Sequence, residues 1–461
     1  MPSRLVSLLT ALLLVLGCAG AQHGRRDPQL VTLDGALGNR FLPAGQRSDV
    51  VARLRIGTRA IDPTRRPRVN VALVVDTSGS MEGRAMDDAR AASLAMVDAL
   101  GDGDRLAVVT FDAQARVLVP STELDAGERA NARARVRAME ARGTTDLAGG
   151  LRLGLLEVAN HFRADGINRV VLLSDGVPND RSQLDAMARS AASNGITITT
   201  LGLGNDYDET VMAQLAQLSG GRFHYVQDSA QVAAMFRDEV LRMQRVIARN
   251  AIAVITAGPD IEIQAVVGQQ ASRSGNVVRV PLGDITEGET RDLVVRLSAP
   301  GRRNDASVEI LDAVLTFSDA MDGAGSCERR AFLGARATSD DARRQSGRDA
   351  EVERVAAQAQ LAAGTIEAIR EAREGNVARA QERLDVALAE ARRTASDNRH
   401  RGFASQQNRV AALRGALPSL RPAPVAQVTA SAGVAEAEET TESATTVRLV
   451  HDEAMQVLQG D

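Results

Sequence analysis

Three short runs of the chain carry oxygen donors at spacings that suit a hard metal ion. The first is Asp76-Thr-Ser78-Gly-Ser80-Met81, with one carboxylate and two hydroxyls at i, i+2 and i+4. The second is Gly143-Thr-Thr145-Asp146-Leu147 and the third is Ser174-Asp175-Gly176. Asp76, Ser78, Ser80, Thr145 and Asp175 together make an all-oxygen set with two formal charges. Such a set suits Mg²⁺, which demands octahedral geometry and keeps several waters; Mn²⁺ and Ca²⁺ are the other hard ions to consider. The shell is incomplete without an outside ligand, and a carboxylate from a partner is the natural filler. Gly79 is expected to let the first loop turn tightly, so that both serine hydroxyls face inward.

The elements that must position these runs follow from periodicity. Val69-Asn-Val-Ala-Leu-Val-Val75 is a continuous apolar strand, followed by a helix over Ala85–Leu100. Strands are expected at Arg105–Phe111, Ala115–Val119, Arg169–Ser174, Ile196–Leu203 and Arg222–Val226. Helices are expected near Glu128–Ala141 and over Leu147–Phe162, Gln183–Ser193, Glu209–Leu218 and Ala230–Ala248. Apolar strands alternating with amphipathic helices predict an α/β, doubly wound, mainly parallel sheet covered on both faces. Asp76 and Asp175 then end strands on one carboxyl edge, where open α/β sheets bind ligands.

The flanking segments differ in character. Val51–Thr58, Ala251–Val267, Asn276–Leu282, Glu289–Leu297 and Ser307–Phe317 alternate in short Val/Ile-rich runs, predicting a β-sandwich. The strand before the α/β unit could complete that sandwich and make the α/β unit an insertion. From Asp349, apolar residues at 3/4 spacing predict an αα-hairpin broken at Gly375-Asn376, with a third helix near Gln406–Leu417. It resembles one tetratricopeptide-like unit, though a brace or oligomerisation hairpin explains it more simply. The expected organisation is an N-terminal segment (22–68), the α/β domain (69–249), a β-rich domain (250–335) and a helical region (349–417). A disordered linker (421–446), rich in Pro, Ala, Glu and Thr, and a short amphipathic helix (447–461) complete it.

Residues 1–21 read as a signal peptide: Arg4, the apolar run Leu5–Leu16, then small residues. Val15-Leu16-Gly17-Cys18 matches a lipobox in which Cys18 becomes the lipidated first residue, and this is the more specific reading. Ala19-Gly20-Ala21 offers an alternative cleavage site that would release a soluble protein. The expected location is the cell envelope, periplasmic or at the surface. The only membrane attachment expected is the N-terminal lipid, since no other stretch approaches the roughly 18 apolar residues of a span.

Composition narrows the chemistry. All 55 basic side chains are arginine, so Schiff-base, P-loop and kinase lysines are excluded. Two cysteines and five unclustered histidines exclude zinc fingers, iron–sulfur clusters and an H-E-x-x-H protease. Acidic residues outnumber basic ones, giving a net charge of -4, and aromatic content is 2%, so nucleic acid is not an expected partner.

Asp76-x-Ser78-x-Ser80, Thr145 and Asp175, in that order on a β–α alternation, resemble the metal-ion-dependent adhesion site of a von Willebrand factor type A domain. That resemblance covers Val69–Arg249 and implies a Rossmann-like fold. It implies that Ser78, Ser80 and Thr145 coordinate the cation directly or alternately, with Asp76 and Asp175 acting mainly through water. Thr145 is favoured over Thr144 by Gly-x-Thr-Asp-Leu. Singly, Ser80 and Asp146 could merely cap helices, and Asp76 and Asp175 could be turn residues. All five together point to a site. Asp-x-Ser is also similar to the aspartyl-nucleophile loop of haloacid dehalogenase-like phosphatases, but those need a second aspartate where Ser78 stands, and a lysine. The expectation is a non-enzymatic module that grips an Asp or Glu of a protein partner through the cation. Bacterial proteins of this layout resemble adhesion and assembly factors. The alternatives are a non-catalytic subunit docking onto an AAA+ ATPase, which the export signal disfavours, and an envelope scaffold that binds through its helices. Oligomeric state is not legible.

Overall fold

Alternating burial along Ser48–Thr58 and continuous burial along Val69–Asp76 set the two halves of the architecture. A strand wetted on one face belongs to a sandwich, whereas one buried on both faces belongs to a helix-covered sheet. The computed structural model of the chain describes residues 29–60, 66–175, 183–203, 209–226, 229–321, 324–395, 401–420 and 441–460. The expected signal peptide with Cys18, Gly176 and positions 421–440 of the expected linker lie outside the described residues.

The chain begins with strands β1 (Val31–Leu37), β2 (Phe41–Pro43) and β3 (Ser48–Thr58). It then enters the α/β unit through β4 (Val69–Asp76), helix α1 (Arg84–Ala99), β5 (Arg105–Phe111), β6 (Ala115–Glu123), α2 (Ala126–Arg137) and α3 (Leu147–Asn160). The unit continues with β7 (Ile167–Ser174), α4 (Leu184–Ser193), β8 (Thr197–Leu203), α5 (Glu209–Ser219), β9 (Phe223–Val226) and α6 (Ser229–Gln244). Its strands form one sheet in the order β6-β5-β4-β7-β8-β9, parallel except for the antiparallel edge strand β6. One core, with Met86, Met96 and Phe236, lies on one face of the sheet, and another, with Phe111, Leu151 and Met212, lies on the other.

Seven strands follow: β10 (Val246–Ala257), β11 (Glu262–Val266), β12 (Ser272–Ser274), β13 (Val277–Thr286), β14 (Thr290–Ala299), β15 (Ser307–Asp319) and β16 (Ser326–Thr338). With β1, β2 and β3 they make two sheets, β1-β3-β14-β11 and β12-β13-β10-β15-β16-β2, facing each other across a shared core with Leu54, Ile56, Val280 and Leu315. Strand β3 pairs antiparallel with β14, with Leu54 opposite Leu293, so the sandwich is built from both sides of the α/β unit, which is an insertion in it.

The last elements are α7 (Asp341–Ser346), α8 (Ala350–Arg373), α9 (Val377–Ala395), α10 (Arg401–Ala416) and α11 (Thr441–Gln459). Helix α11 contributes to three cores: Val447 and Val450 among the helices, Ala454 and Leu458 against the sandwich, and Met455 against the α/β unit. It thereby ties all three parts together. Among the described residues no helix is long and apolar enough to cross a membrane.

Three local expectations are corrected. The helix expected over Ala230–Ala248 ends at Gln244, and β10 starts at Val246 because Val246 and Ala248 pair with Thr286 and Ile285. The single run expected over Ala251–Val267 is two strands in different sheets, separated by a turn at Gly258-Pro259-Asp260 where Asp260 has a φ of 61°. Residues 441–446 are helical and not linker, since the helix docked by Val447, Val450, Ala454 and Leu458 extends back to Thr441.

Candidate metal centre on the carboxyl edge

Parallel pairing in register brings the three runs to one edge. Asp76 lies opposite Phe111 of β5, and Ser174 ends β7 on the other side of β4. Backbone bonds then stitch the loops together. Thr77 N donates to Phe111 O at 2.8 Å, Arg142 N to Thr77 O at 2.7 Å, and Asp146 N to Asp112 O at 2.7 Å. Asp146 caps α3 by accepting from Gly149 N at 2.9 Å. Helix α3 can lie close to the sheet because a Cβ on Gly150 or Gly154 would meet Phe111 or Val74 at 2.5 or 2.4 Å.

Four of the five expected residues are linked by side-chain contacts. Ser78 and Ser80 hydroxyls are 3.0 Å apart, and Ser80 Oγ donates to Asp175 Oδ1 at 2.8 Å. Asp76 Oδ1 accepts from Ser78 N at 2.8 Å. Thr145 sits in the adjoining loop, half-buried, while Thr144 is exposed. No hydrogen bond of the Thr145 hydroxyl is found among the described residues. Asp76, Ser78 and Asp175 are buried, whereas Ser80 opens to solvent.

The loop turns tightly at Gly79, as expected, in a 3₁₀ turn over Gly79–Met81. The Gly79 backbone is not left-handed; glycine is needed there because its N–H donates to Gly143 O at 3.0 Å and a Cβ would come within 3.2 Å of that oxygen. The left-handed residue is Gly143, with a φ of 71°.

The electrostatics favour a cation. Burial pushes the Asp76 carboxyl above its ordinary range, against hydrogen bonds from Ser174 and Ser78 that pull it down. Among the described residues no arginine forms an ion pair with Asp76. A buried carboxylate of this kind is stabilised by a positive charge brought in from outside. The donor set fits: in an octahedral shell with bonds of about 2.0–2.1 Å, neighbouring oxygens lie roughly 3 Å apart. The Ser78–Ser80 and Ser80–Asp175 separations are 3.0 and 2.8 Å. Among the described residues no three His, Cys, Asp or Glu side chains group to hold a metal. An ion at this edge therefore depends on the hydroxyls.

Two features escaped the sequence reading. Ser174 donates to Asp76 Oδ2 at 2.5 Å, fixing the carboxylate that opens the first loop. Asp112 accepts from Arg116 at 2.8 Å, Arg142 at 2.9 Å and Gln114 N at 3.0 Å, pinning the loops between which the site lies. Burial opposes ionisation of Asp112, but the two arginines outweigh it and hold the carboxyl below its usual range. The available signal was topological: Phe111-Asp112 also ends a strand on the carboxyl edge.

Comparison with known proteins bears on the domain and its fold. Residues 70–238 match the family model described as von Willebrand factor type A domain. An uncharacterised protein of Synechocystis sp. is 28% identical over 267 residues, 55% of this chain and 62% of that protein. The uncharacterised Escherichia coli protein YfbK is 26% identical over 256 residues, 53% of this chain and 44% of its own length. The chain thus spans roughly half of the curated relatives it matches. A human inter-alpha-trypsin inhibitor heavy chain is 30% identical over 185 residues, 37% of this chain and 20% of that protein. Among solved structures, a von Willebrand factor type A protein from Catenulispora acidiphila superposes with a TM-score of 0.69 at 21% identity, covering 92% of this chain and 98% of that one. An ArnB paralogue from Sulfolobus acidocaldarius gives 0.61 at 16% identity, covering 93% and 99%. These two likenesses establish the fold across sandwich, insertion and helices alike. Residues 70–238 form a von Willebrand factor type A domain, set as an insertion into a β-sandwich.

Proposed function

We propose that the protein is an exported binding module, lipid-anchored through Cys18, that captures an acidic side chain of a protein partner through a divalent cation at the carboxyl edge. Ser78, Ser80 and Thr145 would hold the ion with their hydroxyls, and Asp76 and Asp175 would anchor it by charge, in part through water. The cation, Mg²⁺ or Mn²⁺, would supply the positive charge that a partner's Asp or Glu seeks. The observation that carries this reading is the buried Asp76, held by Ser78 N and the Ser174 hydroxyl but by no arginine among the described residues, beside an exposed Ser80.

The interaction role rests on the domain family; the cation and the export are this reading's own additions. The chain acts here as a grip and not as a catalyst. The chain's residues divide the work: Ser174 and Ser78 fix the Asp76 carboxylate, Arg116 and Arg142 fix the loop junction through Asp112, and Ser80 faces the partner. A pull-down from envelope extract with the full exported chain, with and without chelator, tests it. Capture should need the metal and be lost in Asp76→Ala. Capture that survives both chelator and Asp76→Ala would move the binding surface to the helices.

A further inference from the structure

The amino edge of the α/β sheet meets the sandwich in two ways. At one place backbones touch: a Cβ on Gly283 would lie 1.9 Å from Gly220 O, so neither position admits a side chain. Beside that contact the two bodies separate and leave a cavity of about 370 Å³. Its floor is apolar, made by Ile196 and Leu218 from the α/β unit and by Ala251, Ile252 and Pro281 from the sandwich. Ile252 is one of the few large apolar side chains left exposed. Its size falls in the range of small-molecule sites, which are concave, mostly apolar and carry a few polar groups for orientation.

The charged groups are of one sign. Arg189 from α4 and Arg279 from β13 line the cavity from opposite bodies, and no lining residue is acidic. Arg279 has no hydrogen-bond or ion-pair partner among the described residues, and Arg189 has only a 3.6 Å contact with the exposed Asp185. Elsewhere on this interface arginines are paired: Arg169 reaches Glu239 at 2.6 Å and Asp284 at 2.8 Å. Asn250 lines the same wall in a left-handed conformation (φ 53°), at a register break in β10. Strain of that kind persists where surrounding structure demands it and concentrates at binding sites.

We propose that this cavity binds a small amphipathic anion, with an apolar body on the Ile196–Leu218–Ile252 floor and a carboxylate or sulfonate head between Arg189 and Arg279. A molecule held there touches both bodies at once. It therefore fixes the insertion relative to the sandwich, at the sheet edge opposite the metal centre, and stabilises the fold by mass action.

The test uses the full exported chain and two fluorescent probes with the same aromatic rings. One, 8-anilino-1-naphthalenesulfonate, carries the anionic head; the other, N-phenyl-1-naphthylamine, lacks it. The sulfonate should bind saturably at one site per chain. Ser193→Phe, at an exposed position that would fill the cavity, should abolish binding of both probes, as should Ile252→Gln if Ser193→Phe misfolds on a thermal melt. Arg189→Ala with Arg279→Ala should weaken the sulfonate about tenfold, the size of one charge-assisted hydrogen bond, and leave the neutral probe unchanged. Sulfonate binding that resists both Ser193→Phe and Ile252→Gln would overturn the site. Equal loss of both probes on removing the arginines would overturn the anionic class of ligand.

Discussion

Buried carboxylates stand at both ends of the α/β sheet and are treated in opposite ways. At the amino edge, Glu239 and Asp284 share Arg169, and Glu289 is held by Arg222 at 3.1 Å and by Arg291. Burial penalises the charge on Glu239 and Glu289, but the arginines outweigh it and hold both well below their usual range. At the carboxyl edge, Asp76 is equally buried and has hydroxyl and amide donors in place of an arginine, so burial prevails and its carboxyl is raised. One end is a neutralised structural joint. The other is a buried carboxylate with no arginine partner among the described residues, the feature on which the proposed cation site rests. The chain's all-arginine composition sharpens the contrast, because planar forks suit the bidentate, multi-carboxylate pairing of the joint.

Removing the shared cation at the joint should have the largest effect. Arg169→Ala leaves Glu239 and Asp284 buried without their partner, and a loss of about 3–5 kcal/mol is expected in urea unfolding. A loss below about 1 kcal/mol would mean that the joint is not a closed ion-pair network. At the site end, Gly143→Ala forces a side chain into a left-handed residue whose Cβ would sit 3.3 Å from Ala113 N. It should cost about 1–2 kcal/mol and weaken metal binding, because Gly143 O receives Gly79 N. Unaltered metal affinity in a folded variant would uncouple this contact from the site.

The smallest effect carries the clearest sign. Because the folded state raises Asp76 above its ordinary 3.8, native protein holds that proton more tightly than unfolded chain does. The resulting penalty is present above the folded value and disappears as pH falls toward 3.8. Glu239 behaves conversely: its stabilisation is present above 4.5 and is lost as pH falls through its depressed folded value. In chelator, Asp76→Asn should therefore match wild type near pH 4 and become the more stable protein, by about 1 kcal/mol or less, as pH rises to 7. A variant less stable than wild type at pH 7 in chelator would show that Asp76 is already neutralised by the protein itself.

How far the sequence carried these conclusions depended on how local the determining forces were. Apolar strands separated by amphipathic helices are local signals, and two of the three oxygen-bearing runs could be placed on one edge because each follows a strand. The contribution of Asp112 is not local. It becomes visible only when β5 is set beside β4 and Arg142 arrives from the second loop. Sandwich pairing is likewise remote: Arg55 bonds Asp292 across 237 residues. Val246-Ile-Ala248 reads as the end of the helix expected over Ala230–Ala248 until β13 and β15 claim its backbone. The polar Thr441–Thr446 run reads as linker because its helix is sustained by packing further along, at Val447 and Val450. The tight turn at Gly79 is legible in the sequence, but its close approach to Gly143 O is not, since that oxygen comes from a loop 64 residues away.

Calorimetric titration of Mg²⁺ into the chelator-stripped protein tests the metal centre most directly. Wild type should take up one ion per chain with a saturable isotherm, and Asp76→Ala and Ser80→Ala should each abolish or greatly weaken it while the protein remains folded. No saturable binding at millimolar Mg²⁺ or Mn²⁺, or an isotherm unchanged in Asp76→Ala, would contradict a cation site at the carboxyl edge.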